Sequence, residues 1–250
     1  MQPACIVHNI TVNYEKTPAL WDVSVVLPKG KLIAICGPNG AGKSTFIKAL
    51  LGLIPVLSGK VDFLAETQIG YMPQSQSVDW GFPLTVLDLV LMGCYGRTKF
   101  LRPISSQEKA TAKENLKKVG LCGLEDRQIN QLSGGQKARA FLARALMQRS
   151  NIYFMDEPFA SIDAASSQIM LEIFQQLKSE GKTLIIVHHD LKEIQKVFDW
   201  GVLLNRRLVA SGPIQDVLTE TLIHHAYGKE NLLFETVSRL SEETTQGLAT

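Results

Sequence analysis

No apolar run in the 250 residues approaches the about 18 needed to cross a bilayer. The run from Val86 to Met92 is interrupted by Asp88, so the chain is expected not to span a membrane by itself. Excess charge is also scarce. With 26 basic and 24 acidic side chains the net charge is only +2, which removes the strong basic field that would argue for nucleic acid. Cysteine is sparse: Cys5, Cys36, Cys94 and Cys122 form no C-x-x-C pair. That spacing excludes a disulfide framework or zinc site of the usual kind and favours buried thiols in a reducing compartment. The opening Met-Gln-Pro-Ala-Cys-Ile-Val-His lacks the basic region and long apolar core of a secretory signal. Internal repeats and low-complexity stretches are absent as well. The 45% hydrophobic and 20% charged residues are those of a soluble globular protein. One α/β domain with a helical insertion can hold this length, and the expected setting is cytoplasmic.

What is present is organised around Gly37-Pro38-Asn39-Gly40-Ala41-Gly42-Lys43-Ser44-Thr45. The stretch matches G-x-x-x-x-G-K-[ST], the phosphate-binding loop. Its glycines lack Cβ, so the backbone can curl and present successive N–H groups to phosphate oxygens. Lys43 brings a compact positive charge to the β- and γ-phosphates, and the Ser44 hydroxyl suits Mg²⁺. Thr45 falls in the first turn of the following helix, whose positive end faces the anion. The context agrees: Lys31 to Cys36 reads as a buried strand before the loop, and Phe46 to Leu51 as a helix after it.

Alternation predicts strands over Ile6 to Val12 and Val23 to Leu27, with Pro28-Lys29-Gly30 as the turn into the phosphate-loop strand. Tyr14 lies between the first two strands, where it can be a half-buried loop aromatic or a ring that stacks on a base. Short strands are expected near Lys60–Phe63 and Gln68–Met72. From Pro83 to Gln131 the pattern is helical. Leu84, Leu87, Val90 and Leu91 are expected to share one face, and Leu116 and Val119 to point inward from a helix over Glu108 to Val119. Gly93 to Ser106 reads as a loop. Trp80 and Phe82 lie in a Gly/Pro-flanked turn off any periodic face and are expected to be exposed.

Leu132-Ser-Gly-Gly-Gln136 then precedes a helix over Lys137 to Gln148, with Ser133 as a plausible N-cap and two glycines leaving bare N–H groups at the helix start. Ile152 to Asp156 is a buried strand that ends in Asp156-Glu157-Pro158. Carboxylates at the C-terminal edge of a parallel strand sit where open α/β sheets bind ligands. Asp156 fits a Mg²⁺-holding carboxylate, and Glu157 a base or orienter for attacking water. Thr183 to Val187 is the next buried strand, ending in His188-His189-Asp190; only one of the two histidines need face the nucleotide. A hairpin over Asp199–Asn205 and Arg206–Ala210 and a short helix over Pro213–Thr219 follow. His224-His225 suggests metal ligands, but adjacent histidines rarely point at one ion, and a structural role is favoured. Glu230 to Thr250 reads as a polar, marginal or partly disordered tail.

Taken together, Gly37–Thr45, Gln74, Leu132–Gln136, Asp156–Glu157, Ala160-Ser-Ile-Asp163 and His189 resemble the ATP-binding cassette (ABC) ATPases, over roughly residues 4 to 225. The resemblance implies an α/β fold: a P-loop NTPase core of the ABC ATPase type with an antiparallel β subdomain and an inserted helical subdomain. On this reading an ABC ATPase domain covers 1–228, its helical subdomain about 83–135, and a polar tail 229–250. It further implies that ATP and Mg are bound. Tyr14 becomes the ring that stacks on adenine, Gln74 the residue that touches Mg²⁺ and the attacking water, and His189 the γ-phosphate sensor. Asp163 lies in the loop that communicates across a dimer. Ser133, Gly134, Gly135 and Gln136 close over ATP held by a second copy of the chain, in a nucleotide-sandwich homodimer. Pro73 to Gly96, with its Val78-Asp79-Trp80-Gly81-Phe82 run, is similar to the ATPase subunits of bacterial manganese, zinc and iron importers. That implies integral-membrane permease partners, docking over Gln74 to Tyr95, an extracytoplasmic metal-binding protein acting indirectly, and a place at the cytoplasmic face of the membrane. Importers of siderophores or cobalamin, and soluble cofactor-assembly ATPases, share most of these motifs. Lys137 and Ala138 depart from the commonest pattern, which has Gln followed by Gln or Arg.

Overall fold

A computed structural model of the chain describes residues 2–14, 17–64, 67–74, 80–95 and 103–228. The expected tail over 229–250, the Val78-Asp79 half of the aromatic turn, and part of the Gly93–Ser106 loop lie outside the described residues.

Strands β1 (Pro3–Tyr14) and β2 (Thr17–Pro28) pair antiparallel, and β4 (Ser58–Phe63) joins the other edge of β1. Both hairpin strands run well beyond the expected segments. The reason is a set of register shifts, at Val7/Ile10 and Ile10/Val12 among others, which break the two-residue alternation that sequence reading relies on.

The second sheet has six strands in the order β5-β6-β7-β3-β8-β9. They are β3 (Leu32–Cys36), β5 (Ile69–Met72), β6 (Ile152–Asp156), β7 (Thr183–Val187), β8 (Trp200–Asn205) and β9 (Arg207–Pro213). All pairs are parallel except β8–β9. Strands β3, β6 and β7 are buried along their whole length, as continuous apolar runs must be when both faces of a parallel sheet are covered. Successive side chains feed two cores. Ile33, Ile35, Ile152 and Phe154 pack with β1, β2 and helix α1 (Lys43–Leu50), whereas Leu32, Ala34, Tyr153 and Met155 pack on the opposite, helical side.

The helical side comprises α2 (Val86–Leu91), α3 (Ser106–Lys118), α4 (Gly134–Met147), α5 (Ala164–Ser179), α6 (Leu191–Val197), α7 (Ile214–Val217) and α8 (Glu220–Tyr227). Helix α2 corrects an expected face. Thr85 is its N-cap, closed by a capping box with Asp88, so Leu84 precedes the helix; Val86, Leu89, Val90 and Leu91 are buried, with Leu87 only partly covered. Leu116 and Val119 are inward as expected. A second correction concerns thiols: Cys5, Cys36 and Cys94 are buried, but Cys122 is exposed. A third concerns Trp80. Its ring is half-buried against Phe141 of α4, centroids 5.2 Å apart, while Phe82 is exposed.

Candidate active site

Strand β3 delivers the chain at Gly37 into a loop that only glycine permits at several points. A Cβ on Gly37 would lie 2.0 Å from the Leu204 carbonyl oxygen. Gly42 has φ 90°, and a Cβ there would stand 2.6 Å from the Ala19 carbonyl oxygen. Such backbone is strained for any L side chain. The loop is held from outside, since the Arg206 amide in the β8–β9 turn donates to the Ala41 carbonyl (2.9 Å). Helix α1 then starts with no side-chain cap, so its first amides point where an anion can take them up. Lys43 is buried, and its Nζ donates to the carbonyls of Gly37 (2.8 Å) and Pro38 (2.9 Å). Burial pulls the Lys43 ammonium below its ordinary pKa, and the Glu157 carboxylate opposes that. The Cys36 thiol beneath the loop is pushed up to about 12 by burial; it stays protonated and inert.

The carboxylates arrive on β6. The Ser44 hydroxyl donates to Asp156 Oδ1 at 2.9 Å, so loop and strand end are directly joined. Asp156 is buried, and burial raises its pKa, with the Ser44 hydrogen bond pulling the other way and the Glu157 charge adding to the rise. A hydroxyl and a carboxylate oxygen at this separation form the hard-oxygen set that Mg²⁺ selects, so the residues present fit that ion. Glu157 follows at φ 50°, a left-handed backbone uncommon for a non-glycine residue. Its Oε2 accepts from Gln74 Nε2 at 2.9 Å. Lys43, Ser44, Asp156, Glu157 and Gln74 thus stand as one cluster at the C-terminal edge of the parallel strands.

The structure separates the two histidines. His188 is in the core, its ring stacked on Phe159 (5.0 Å, 27°) and its Nε2 2.9 Å from Glu193 Oε2. The Asp190 amide donates to Nδ1 (3.3 Å), which leaves Nε2–H to donate to Glu193. Burial lowers the His188 pKa against the pull of Glu193. His189 is exposed at the same sheet edge as the carboxylates. Glu193 and Phe159, which decide which histidine turns outward, carried no signal in the sequence; both are long-range or helix-borne partners.

Ser133 to Gln136 belong to a different cluster. The Ser133 side chain accepts from the Gln136 amide (3.2 Å), and Gln136 Oε1 accepts from the Ser133 amide (3.0 Å). Ser133 and Gly134 are exposed. A Cβ on Gly135 would meet Ser166 Oγ at 2.3 Å and Asp163 Oδ2 at 2.5 Å, so α4 opens hard against the cap of α5, where Asp163 accepts from the Ser166 amide (2.8 Å). Tyr14 ends β1 with its ring half-exposed. His224 and His225 are exposed on α8, and among the described residues no group of three or more His, Cys, Asp or Glu could hold a metal ion.

The chain is similar to known proteins. A family model described as ABC transporter matches residues 20–160. The manganese transport system ATP-binding protein MntB of Bacillus subtilis is 50% identical over 226 residues, covering 88% of this chain and 90% of its own. The zinc transport system ATP-binding protein TroB of Treponema pallidum is 46% identical over 228 residues, covering 89% and 86%. Among solved structures, the ADP conformation of an ATP-binding cassette of an ABC transporter aligns with TM-score 0.78 and 26% identity over 90% of this chain and 98% of that one.

Proposed function

The chain belongs to the ABC transporter family, and on that premise we propose that it is the ATP-hydrolysing subunit energising a membrane importer of divalent metal cations. The observation that carries the ATPase reading is the cluster in which Ser44 meets Asp156 and Gln74 meets Glu157, beside a phosphate loop. The metal cargo is supported by the manganese and zinc systems of which MntB and TroB are parts.

In this reading the amides of Gly40 to Thr45 and the Lys43 ammonium cradle the β- and γ-phosphates. Ser44, Asp156 and Gln74 would hold Mg²⁺, which neutralises phosphate charge and aligns the transferring group. Glu157 takes a proton from the attacking water, and Gln74, bonded to it, fixes where that carboxylate points. His189 orients the γ-phosphate side from β7. Tyr14 stacks on adenine with its open face. Ser133 and Gly134 are exposed, and with Gly135 and Gln136 behind them they face the ATP of a second copy, so that two chains complete each site. Exposed Phe82, Met92 and Tyr95 form the surface offered to an integral-membrane permease at the cytoplasmic face. An extracytoplasmic metal-binding protein acts only through that permease, and nucleic acid has no part.

The test is Glu157→Gln. The amide accepts no proton, so hydrolysis should fall by on the order of 10² or more while Mg·ATP binding persists. ATP should also trap the variant as a dimer in size-exclusion chromatography. Hydrolysis near the wild-type rate would remove Glu157 from its role.

A further inference from the structure

Among the described residues His188 is the only buried histidine, and it joins two parts of the nucleotide edge. Its ring stacks on Phe159, centroids 5.0 Å apart and planes at 27°, and meets Phe198 edge-on at 5.9 Å. Phe159 is itself backed by Phe174 of α5 at 5.6 Å. Phe159 follows Glu157 through the buried Pro158. The turn there is closed by the Ala160 amide, which donates to the Glu157 carbonyl at 3.1 Å. In the other direction His188 directly precedes the exposed His189. The Asp190 amide donates to His188 Nδ1 at 3.3 Å, and Nε2–H donates to Glu193 Oε2 at 2.9 Å. Glu193 is held in turn, since its amide donates to the Asp190 side chain at 3.2 Å.

We infer that His188 is a positioning residue of the ATPase reaction: its ring, held by Glu193, locks the turn bearing Glu157 to the strand end bearing His189. The inference rests on the ATPase reading. An imidazole suits this joint better than a hydrocarbon. It offers Phe159 a flat face, while one nitrogen accepts and the other donates, which fixes the ring plane against α6. Phenylalanine would keep the face but leave the Asp190 amide and the Glu193 carboxylate without their partner. Burial favours the neutral ring, so His188 is not the group that takes the water's proton. The effect should fall on kcat. Glu157 and His189 act on the water and the γ-phosphate, whereas the phosphate loop and Tyr14 set ATP affinity.

The experiment uses the full-length chain and Mg·ATP. The Glu193 side chain is 32% exposed, so it can be changed without opening the core. Glu193→Leu should lower kcat about tenfold, the low end for a hydrogen bond to a charged group, with KM within about a factor of two. Glu193→Gln keeps an acceptor for Nε2–H and should restore the rate. In a His188→Phe background, Glu193→Leu should add no further loss. Proton NMR of the nucleotide-free chain should show the His188 Nε2–H as a slowly exchanging downfield signal in wild type and Glu193→Gln, and none in Glu193→Leu. Equal kcat for wild type and Glu193→Leu, a loss confined to KM, no recovery with Gln, additive losses in the double variant, or an unchanged Nε2–H signal in Glu193→Leu would each overturn the role. Should His188→Phe fail to fold, the two Glu193 variants decide the matter alone. A wild type that shows the Nε2–H signal yet hydrolyses no ATP would defeat the ATPase reading, and the positioning role with it. A hydrolysing wild type with an indifferent Glu193→Leu defeats the positioning role alone.

Discussion

Two charged side chains at the phosphate loop sit in opposite predicaments. Lys43 is buried yet has the Gly37 and Pro38 carbonyls as acceptors. Replacing it by alanine strands those carbonyls and removes the cation facing the triphosphate. A charge-assisted hydrogen bond contributes about 1.5–3 kcal/mol, so Lys43→Ala should weaken ATP binding by roughly ten- to a hundredfold. Titration calorimetry showing equal affinity for variant and wild type would contradict the loop assignment. Asp156 is the reverse case. Its folded pKa is raised, first by burial, so the neutral form is the one the fold favours. Its contribution to stability is greatest below the unfolded pKa and is lost as pH rises through the folded value. At neutral pH the buried charge therefore costs stability. Asp156→Asn mimics the neutral form and should raise Tm by a few degrees at most, since ~1 kcal/mol moves a domain of this size by ~2–4 °C. The same variant should lose the dependence of nucleotide binding on Mg²⁺. A lower Tm, or an unchanged Mg²⁺ titration, would count against the arrangement.

Elements differ in how openly the sequence announces them. Strands β3, β6 and β7 were legible because burial on both faces writes an unbroken apolar run. The ends of β1 and β2 were not, because bulges shift the alternation. Helix α5 shows a readable signal in Met170, Ile173, Phe174 and Leu177, spaced i, i+3, i+4, i+7, behind an Asp163 cap; the motif around Asp163 points to an interface and so hides the cap that starts the helix. The loop lysine and both carboxylates could be placed from local motif and strand end alone. Which histidine turns outward could not, since Phe159 and Glu193 decide it in three dimensions. Nor could the approach of Lys137 Nζ to within 4.8 Å of the Trp80 ring centroid, which joins α4 to a turn far away in sequence. Close approach between helices was equally hidden. Gly93, just after α2, is pressed on α4: a Cβ there would fall 2.2 Å from the Arg144 carbonyl oxygen and 2.7 Å from Met147 Cβ. Gly93→Ala must push the two apart, which for overpacking costs about 1–3 kcal/mol. Chemical denaturation should show that loss, with ATP affinity of the folded fraction unchanged; a midpoint equal to wild type would mean the junction is looser than described.

At the scale of the whole molecule, the nucleotide edge is assembled from β6, β7 and β3 side by side, while α4 carries its own glycine-rich start against the cap of α5. That division suits a subunit that completes its sites only with a second copy. The order of strands also governs biosynthesis. Strand β3 has two neighbours, and Leu32 pairs with Leu184 while Ile33 pairs with Trp200. The phosphate loop thus leaves the ribosome long before either strand that will flank it exists. At about 5–20 residues per second, the loop and α1 wait for many seconds without the sheet that gives them shape, and closing such distant pairs is slow in itself. A nascent chain arrested before Thr183 contains every residue of the loop, together with Asp156 and Glu157. It should retain no ATP on a filter, whereas arrest well beyond Pro213 should restore binding. Retention by the shorter nascent chain would mean that the loop takes its shape without its neighbours.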